Sequence, residues 1–397
     1  MHDIFAWAFL GLGKVTFIAI GLGVLFIAIA VILFRKPSAG DVAPRRPVLP
    51  APIPVDRTVA LAKPLAPTLG NASASGAIIP TTEMPAALGS FRLVRFFELE
   101  QQQVDDMLVK LRRIPRPPHS LHKLVSPQFL ADASSADISE LLMSEPQVAA
   151  KVLSAVNSTL FGLPKPLGSI GQATTFLGMN TVRGICMQYM LDDSLKADNP
   201  EIKSIFNTCW NASALASELC FKLAQLLQLQ DPGALVSNVV LSYLGPLATY
   251  SLLPKAVVMS IASQSLLERA RVEQEQLGLS AAEIGNLLMR EWNLPEAIID
   301  DVRDIELILV TPVSAMNTQR GARLALCYLC VRLGEKLANG EIRDLREFDV
   351  MAQDGPDFYH VRAYMGHSSI ARLVEFLHFP EVVAAINKMV SAIQMRR

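Results

Sequence analysis

The chain has 397 residues, with 36 Lys and Arg against 37 Asp and Glu and a formal net charge of -1, a balance that excludes a protein coating nucleic acid through bulk positive charge. Charged residues make up 18% and the hydrophobic set 51%, too apolar for a mostly disordered chain and enough for one large or two ordinary domains. Five cysteines, Cys186, Cys209, Cys220, Cys327 and Cys330, sit in apolar helical patterns, which fits a reduced compartment better than a disulfide framework.

Residues 15–34 carry no charge. At about 1.5 Å rise per residue, a helix of this length spans about 30 Å, the hydrocarbon core of a bilayer. A cleaved signal peptide needs a shorter apolar run and a small-residue cleavage site, whereas this run ends in Leu33, Phe34, Arg35 and Lys36. Residues 1–36 therefore read as a single-pass membrane anchor. Arg35, Lys36, Arg45, Arg46 and Arg57 follow the span and Lys14 precedes it, so the positive-inside rule places the C-terminal bulk in the cytoplasm.

Residues 37–90 hold ten of the 25 prolines, with Ala, Ser, Thr and Gly and almost no aromatics. Such a segment cannot bury enough apolar area to offset its chain entropy, and it reads as a disordered linker. The P-x-x-P matches at Pro44–Pro47 and Pro47–Pro50 are what any Pro-rich tether contains.

Residues 91–397 hold 29 basic and 33 acidic residues, a net of -4, and their patterns are helical throughout. Ile138, Leu141 and Leu142 share a face, as do Ala149, Val152, Leu153 and Val156 behind Glu145 and Pro146. Ser169 caps a helix carrying Ile170, Ala173, Phe176 and Leu177, which stops at Gly178; Asn180 caps the next, with Val182, Ile185, Cys186 and Tyr189. Leu215, Leu219, Leu223 and Leu226 stripe another helix, and residues 234–250 are apolar on nearly every side, as in a central buried helix. No strand-like alternation is long enough to build a sheet, so the fold class is all-α, expected in two lobes at about 91–191 and 202–338 with C-terminal helices closing the chain.

Metal ligands are sparse. His119 and His122 stand one turn apart in a Pro-rich stretch, and no second pair follows nearby, so they read as exposed loop histidines. Cys327 and Cys330 form a C-x-x-C inside a helix rather than at its start, which reads as buried structural thiol. Asp300 and Asp304, one turn apart, could hold a hard cation but read as the solvated side of a helix whose apolar side is Ile298, Ile299, Val302 and Ile305. The turn before Asn180 resembles a helix-turn-helix, yet only Arg183 is basic near its second helix, and no nucleic-acid partner is expected. No Gly-rich phosphate loop, G-x-S-x-G or H-E-x-x-H occurs.

One stretch resembles a known family. Arg113-Ile114-Pro115, Glu145-Pro146, Lys151 through Asn157, Phe161, Gly162 and Pro164, then Ser169-Ile170 and Leu177-Gly178 resemble the HDOD family, relatives of the HD metal phosphohydrolases. A second block agrees: Leu277-Gly278 and Ser280, Glu283-Ile284-Gly285, and Glu291-Trp292-Asn293-Leu294-Pro295. The resemblance covers about 113–338 and implies a bacterial signalling scaffold, hence an anchor in the inner membrane. With the anchor at 1–36 and the linker at 37–90, the remaining domains are expected at 91–338 (HDOD-like helical domain) and 339–397 (helical extension).

The departures bear on activity. Where catalytic HD relatives place metal-binding His and Asp, this chain offers Asn211, Ser242-Tyr243, Ala281 and Ile305-Glu306. Metal-assisted hydrolysis needs ligands that hold the ion and acidify its water, so a pseudoenzyme is expected, with no catalytic residue, metal or other cofactor. The expected role is a membrane-tethered module that acts through contacts with a signalling partner. The alternatives are a nucleotide or cyclic-dinucleotide receptor in a former active-site cleft, and a divergent phosphohydrolase. Asn157, Phe161, Gly162, Arg183 and Trp292 are the candidate interaction or motif positions. Asn157 as a cap and Phe161 as a core anchor are the plainer roles.

Overall fold

Caps and apolar periodicity start and stop the helices that the computed structural model shows for residues 83–395. In chain order these are α1 (Ala86–Gly89), α2 (Gln101–Leu111), α3 (Ser120–Val125), α4 (Pro127–Asp132), α5 (Ser135–Met143), α6 (Pro146–Val156), α7 (Ile170–Leu177) and α8 (Met179–Asp192). They continue as α9 (Pro200–Leu226), α10 (Pro232–Ser242), α11 (Leu244–Leu252), α12 (Lys255–Ile261), α13 (Leu266–Leu277), α14 (Ala281–Glu291) and α15 (Glu296–Ile305). The last four are α16 (Gln319–Asn339), α17 (Pro356–Tyr364), α18 (Leu373–Leu377) and α19 (Pro380–Gln394). Among the described residues there is no strand. Side chains of Ser126, Ser134, Ser169, Asn199, Ser265 and Thr318 accept from backbone N–H groups at helix starts, satisfying donors that no helix can bond internally.

The core is built on α9 and α16, which run along each other with Ala212 and Ala216 against Gly334 and Cys220 beside Cys327 and Cys330, and with Leu215, Leu219, Leu223 and Leu333 also buried. The hydrogen bond with Cys220 together with burial raises the Cys327 thiol well above its ordinary value, as expected of structural cysteines. The two expected lobes are not separate: α8 packs on α6 and α7 and also on α9 and α10, so one apolar core runs through the described residues. The C-terminal extension belongs to that core, with α17 against α16 and α19 against α9.

Other expectations are corrected locally. Leu88, placed in the linker by composition, is 3% exposed and belongs to the core. Phe176, assigned to an apolar stripe, is 57% exposed, because only Ile170, Ala173 and Thr174 of α7 face inward. Pro232–Leu252 is long and apolar enough to cross a membrane, but 78% of its apolar window is buried inside the protein, as in a core helix. The expected anchor at 15–34 and the linker as far as residue 82 lie outside the described residues.

Trp292 closes α14 and is 2% exposed, packed in the core beside Leu294. Trp292→Ala is expected to lower stability by roughly 3–5 kcal/mol through lost burial and the cavity left behind. Urea titration of the wild type and the variant measures it, and a loss below about 1 kcal/mol would contradict the core placement.

Candidate functional site

Two glycines set the geometry. At the crossing of α11 and α14, a Cβ on Gly285 would lie 2.9 Å from the Cα of Gly245, and one on Gly245 would collide with the Ala281 carbonyl. Only glycine permits backbones to approach so closely. This contact brings Ser242 and Tyr243, at the corner of α10 and α11, over Ala281 at the start of α14. Together with Ile305 and Glu306 they line a recess of about 580 Å³.

Besides Glu306, the walls of the recess carry Arg269, Glu273, Arg332 and Glu335, charges that the sequence patterns do not single out. Glu335 of α16 accepts from Arg269 Nη2 at 3.0 and 2.8 Å, and from Arg332 Nη1 and Nη2 at 2.8 and 3.1 Å. Glu273 Oε2 accepts from the Ala281 N–H at 2.8 Å, and Glu306 Oε2 from the Ala282 N–H at 3.2 Å. Arg269, Glu273, Glu306 and Arg332 are all under 10% exposed. Three acids therefore face two guanidiniums in a medium that penalises unpaired charge. Burial works to raise the Glu335 pKa, but Arg269 and Arg332 win and hold it below the usual range. Burial, reinforced by repulsion from Glu306, pushes Glu273 up to about 7, and burial also raises Glu306.

A divalent metal of the kind held by catalytic HD relatives does not fit this donor set. Ser242 and Tyr243 are neutral oxygens, Ala281 and Ile305 have no donor atom, Glu335 is taken by the two arginines and Glu273 and Glu306 by the α14 N–H groups, and two guanidiniums repel a cation. The fourth expected position is displaced. Asn211 lines a separate recess, whereas Cys209 and Ala212 of α9 face Arg269 and Glu335. One residue along a helix is a turn of about 100°, enough to carry a side chain to another face.

The Asp300–Asp304 pair is likewise no cation site. Asp304 is 7% exposed rather than solvated, and it accepts from Arg303 Nε at 2.8 Å, Arg320 Nη2 at 2.9 Å and Arg95 Nη2 at 3.3 Å. Burial opposes ionisation, but the Arg303 and Arg320 hydrogen bonds hold its carboxyl below the usual range. Arg290 and Arg303 take Asp300.

The candidate positions fall apart in space. Asn157 closes the loop after α6, its amide donating to the Leu167 carbonyl at 2.9 Å and its Oδ1 accepting from the Leu167 N–H at 2.7 Å. Gly162, at φ 54°, gives its carbonyl to Lys388 of α19, and a Cβ there would collide with the lysine stem. Phe161 is half-buried against the core. Arg183 is 2% exposed, stacks 5.9 Å from the Phe129 ring centroid and donates to Asn180 Oδ1 at 3.2 Å. Trp292 is core. His119 and His122 stack at 5.3 Å, the first exposed and the second half-buried. Among the described residues, no group of three or more His, Cys, Asp or Glu is arranged to hold a metal ion.

Residues 114–306 match the HDOD domain family. A Marinobacter aquaeolei VT8 structure, provisionally described as a signal transduction protein, superposes with a TM-score of 0.50 at 20% identity, over 78% of this chain and 64% of its own. A Shewanella amazonensis SB2B structure, provisionally described as a phosphohydrolase, gives 0.49 at 20% identity over 72% and 97%. A Geobacter sulfurreducens HDOD domain protein of unknown function gives 0.48 at 18% over 72% and 99%. At these identities the likeness is one of fold. No curated protein matches the chain.

The charge cluster makes stability depend on pH. Glu273 carries a folded-state pKa above its ordinary value of 4.5, at about 7. Its contribution is complete below pH 4.5 and is lost as pH rises through about 7, because the folded state holds the proton more tightly. Glu273→Gln keeps an acceptor for the Ala281 N–H without the titration. The variant is expected to gain roughly 1–3 kcal/mol on the wild type above pH 7 and little at pH 4.5. Urea midpoints across this range test it, and a constant difference would contradict the assignment.

Proposed function

We propose that this protein is a non-catalytic signalling and interaction module, tethered to the bacterial inner membrane, whose HDOD-type helices present surfaces to a partner. One observation carries the reading: the recess lined by Ser242, Tyr243, Ala281 and Glu306 is also walled by the Arg269–Glu335–Arg332 ion cluster. A metal phosphohydrolase needs a cation there to generate hydroxide near neutral pH. Two buried guanidiniums supply fixed positive charge in its place, but they neither bind water as a Lewis acid nor leave room for imidazole ligands. Fixed charge of this kind locks helices together. The tether rests on the uncharged residues 15–34 and the basic residues after them.

Full-length protein purified in detergent is expected to retain less than one equivalent of transition metal. It is also expected to show no Mn²⁺-dependent turnover of cyclic dinucleotides or bis-p-nitrophenyl phosphate. Stoichiometric metal together with hydrolysis that Glu306→Ala abolishes would overturn the non-catalytic reading. For topology, a phosphatase reporter that works only in the periplasm, fused after Arg397, is expected to be silent. An active fusion would reverse the orientation.

A further inference from the structure

The recess that holds Asn211 is polar and lies between α8 and α9, with Ile393 of α19 at one edge. It offers about 1560 Å³, including the space at its open mouth. Its walls are two rows one helical turn apart: Gln188 and Asp192 on α8, Asn207 and Asn211 on α9. The amides of Gln188, Asn207 and Asn211 make no hydrogen bond among the described residues, although each side chain carries both donors and an acceptor. At the floor, Trp210 is 5% exposed. Its indole nitrogen is buried from solvent beside the Asp192 carboxylate, whose charged form it favours. A buried indole donor ordinarily finds a partner.

The charges around the groove are unevenly satisfied. Lys151 and Lys196 both pair with Asp193, at 2.7 and 3.2 Å. Asp192, half-buried, has no cation within ion-pair distance among the described residues, and burial raises its pKa against the pull of Lys151 and Lys196. A phosphate would find the lysines engaged and a carboxylate in its way. An extended peptide offers alternating N–H and C=O groups that repeat about every 6.6–6.8 Å, close to the ~6.0 Å rise between side chains four residues apart on a helix. Amides that both donate and accept match that alternation.

We propose that the groove between α8 and α9 docks an extended peptide segment of a partner protein, with Gln188, Asn207 and Asn211 holding its main chain and Asp192 pairing with a basic side chain. This deepens the interaction-module reading and rests on it.

The test uses full-length protein in detergent and labelled ten-residue peptides, identical except for Arg, Lys, Gln or Glu at the centre, followed by fluorescence anisotropy. Arg- and Lys-centred peptides are expected to bind about tenfold more tightly than Glu-centred ones. Asp192→Asn erases that preference. Asn207→Ala with Asn211→Ala weakens every peptide about fivefold and leaves the preference intact. Thermal melting confirms that each variant folds, and Asn207→Asp with Asn211→Asp replaces the alanine pair if that pair does not. Binding that ignores all these changes, or no binding up to about 1 mM, overturns the proposal. So does displacement of peptide by maltohexaose, or self-association lost in the asparagine variants, which would put a glycan or a second copy in the groove. Peptide failure leaves the non-catalytic reading standing, and hydrolysis in the phosphodiester assay sinks that reading without touching the peptide result.

Discussion

Glu335 sits between two buried guanidiniums, and the helices around it are placed by that arrangement. Arg269 and Glu273 come from α13, Arg332 and Glu335 from α16, and Glu273 and Glu306 reach the first N–H groups of α14. Shifting any of these helices strips a partner from a buried charge, and removing one member of such a pair typically costs about 3–5 kcal/mol. The α14 N-terminus adds its own constraint, since its positive end favours the two carboxylates docked on it.

A second set of charges ties the beginning of the described chain to helices formed much later. The Val94 N–H donates to Gln274 at 2.7 Å and the Phe96 N–H to Glu283 at 3.1 Å, while Arg95 reaches both Glu283 and Asp304. Arg112 clasps Glu291 with two hydrogen bonds. Residues 92–98 thus form a strap over α13, α14 and α15, held by main-chain donors that would otherwise be unpaired. These long-range ties join the N-terminal helices to the second half of the chain, and they are one reason the two lobes read from the sequence merge into one core.

The apolar stripes of α5, α6, α9 and α10 were legible in the sequence because period 3.6 and burial coincide there. So was the burial of Cys327 and Cys330. The charge cluster was not legible. Arg269 and Glu273 stand at i and i+4 in a helix rich in Glu, Arg and Gln, the pattern of a solvated face. Only the tertiary neighbours α14 and α16 turn that face inward. Asp304 was misread for the same reason: its exposure was inferred from its own helix, and the arginines that bury it come from positions 95 and 320. Asn211 failed through register, because a motif aligned one residue off names the wrong face of a helix.

That register also decides how the charge cluster and the polar groove divide α9 between them. Cys209 and Ala212 look toward Arg269 and Glu335, while Asn207 and Asn211 look toward α8. Ser204 and Thr208 line both recesses, so the two share a wall one side chain thick. Thr208 spends its hydroxyl on the Ser204 carbonyl at 3.1 Å, which keeps that wall from competing for partners on either side. The inner face of α9 is packed against the core and the ion cluster, whereas its outer face keeps the two unspent amides of Asn207 and Asn211, opposite Gln188 and Asp192 of α8. Interaction chemistry is therefore available on the outer face, where a partner can enter without breaking a buried pair.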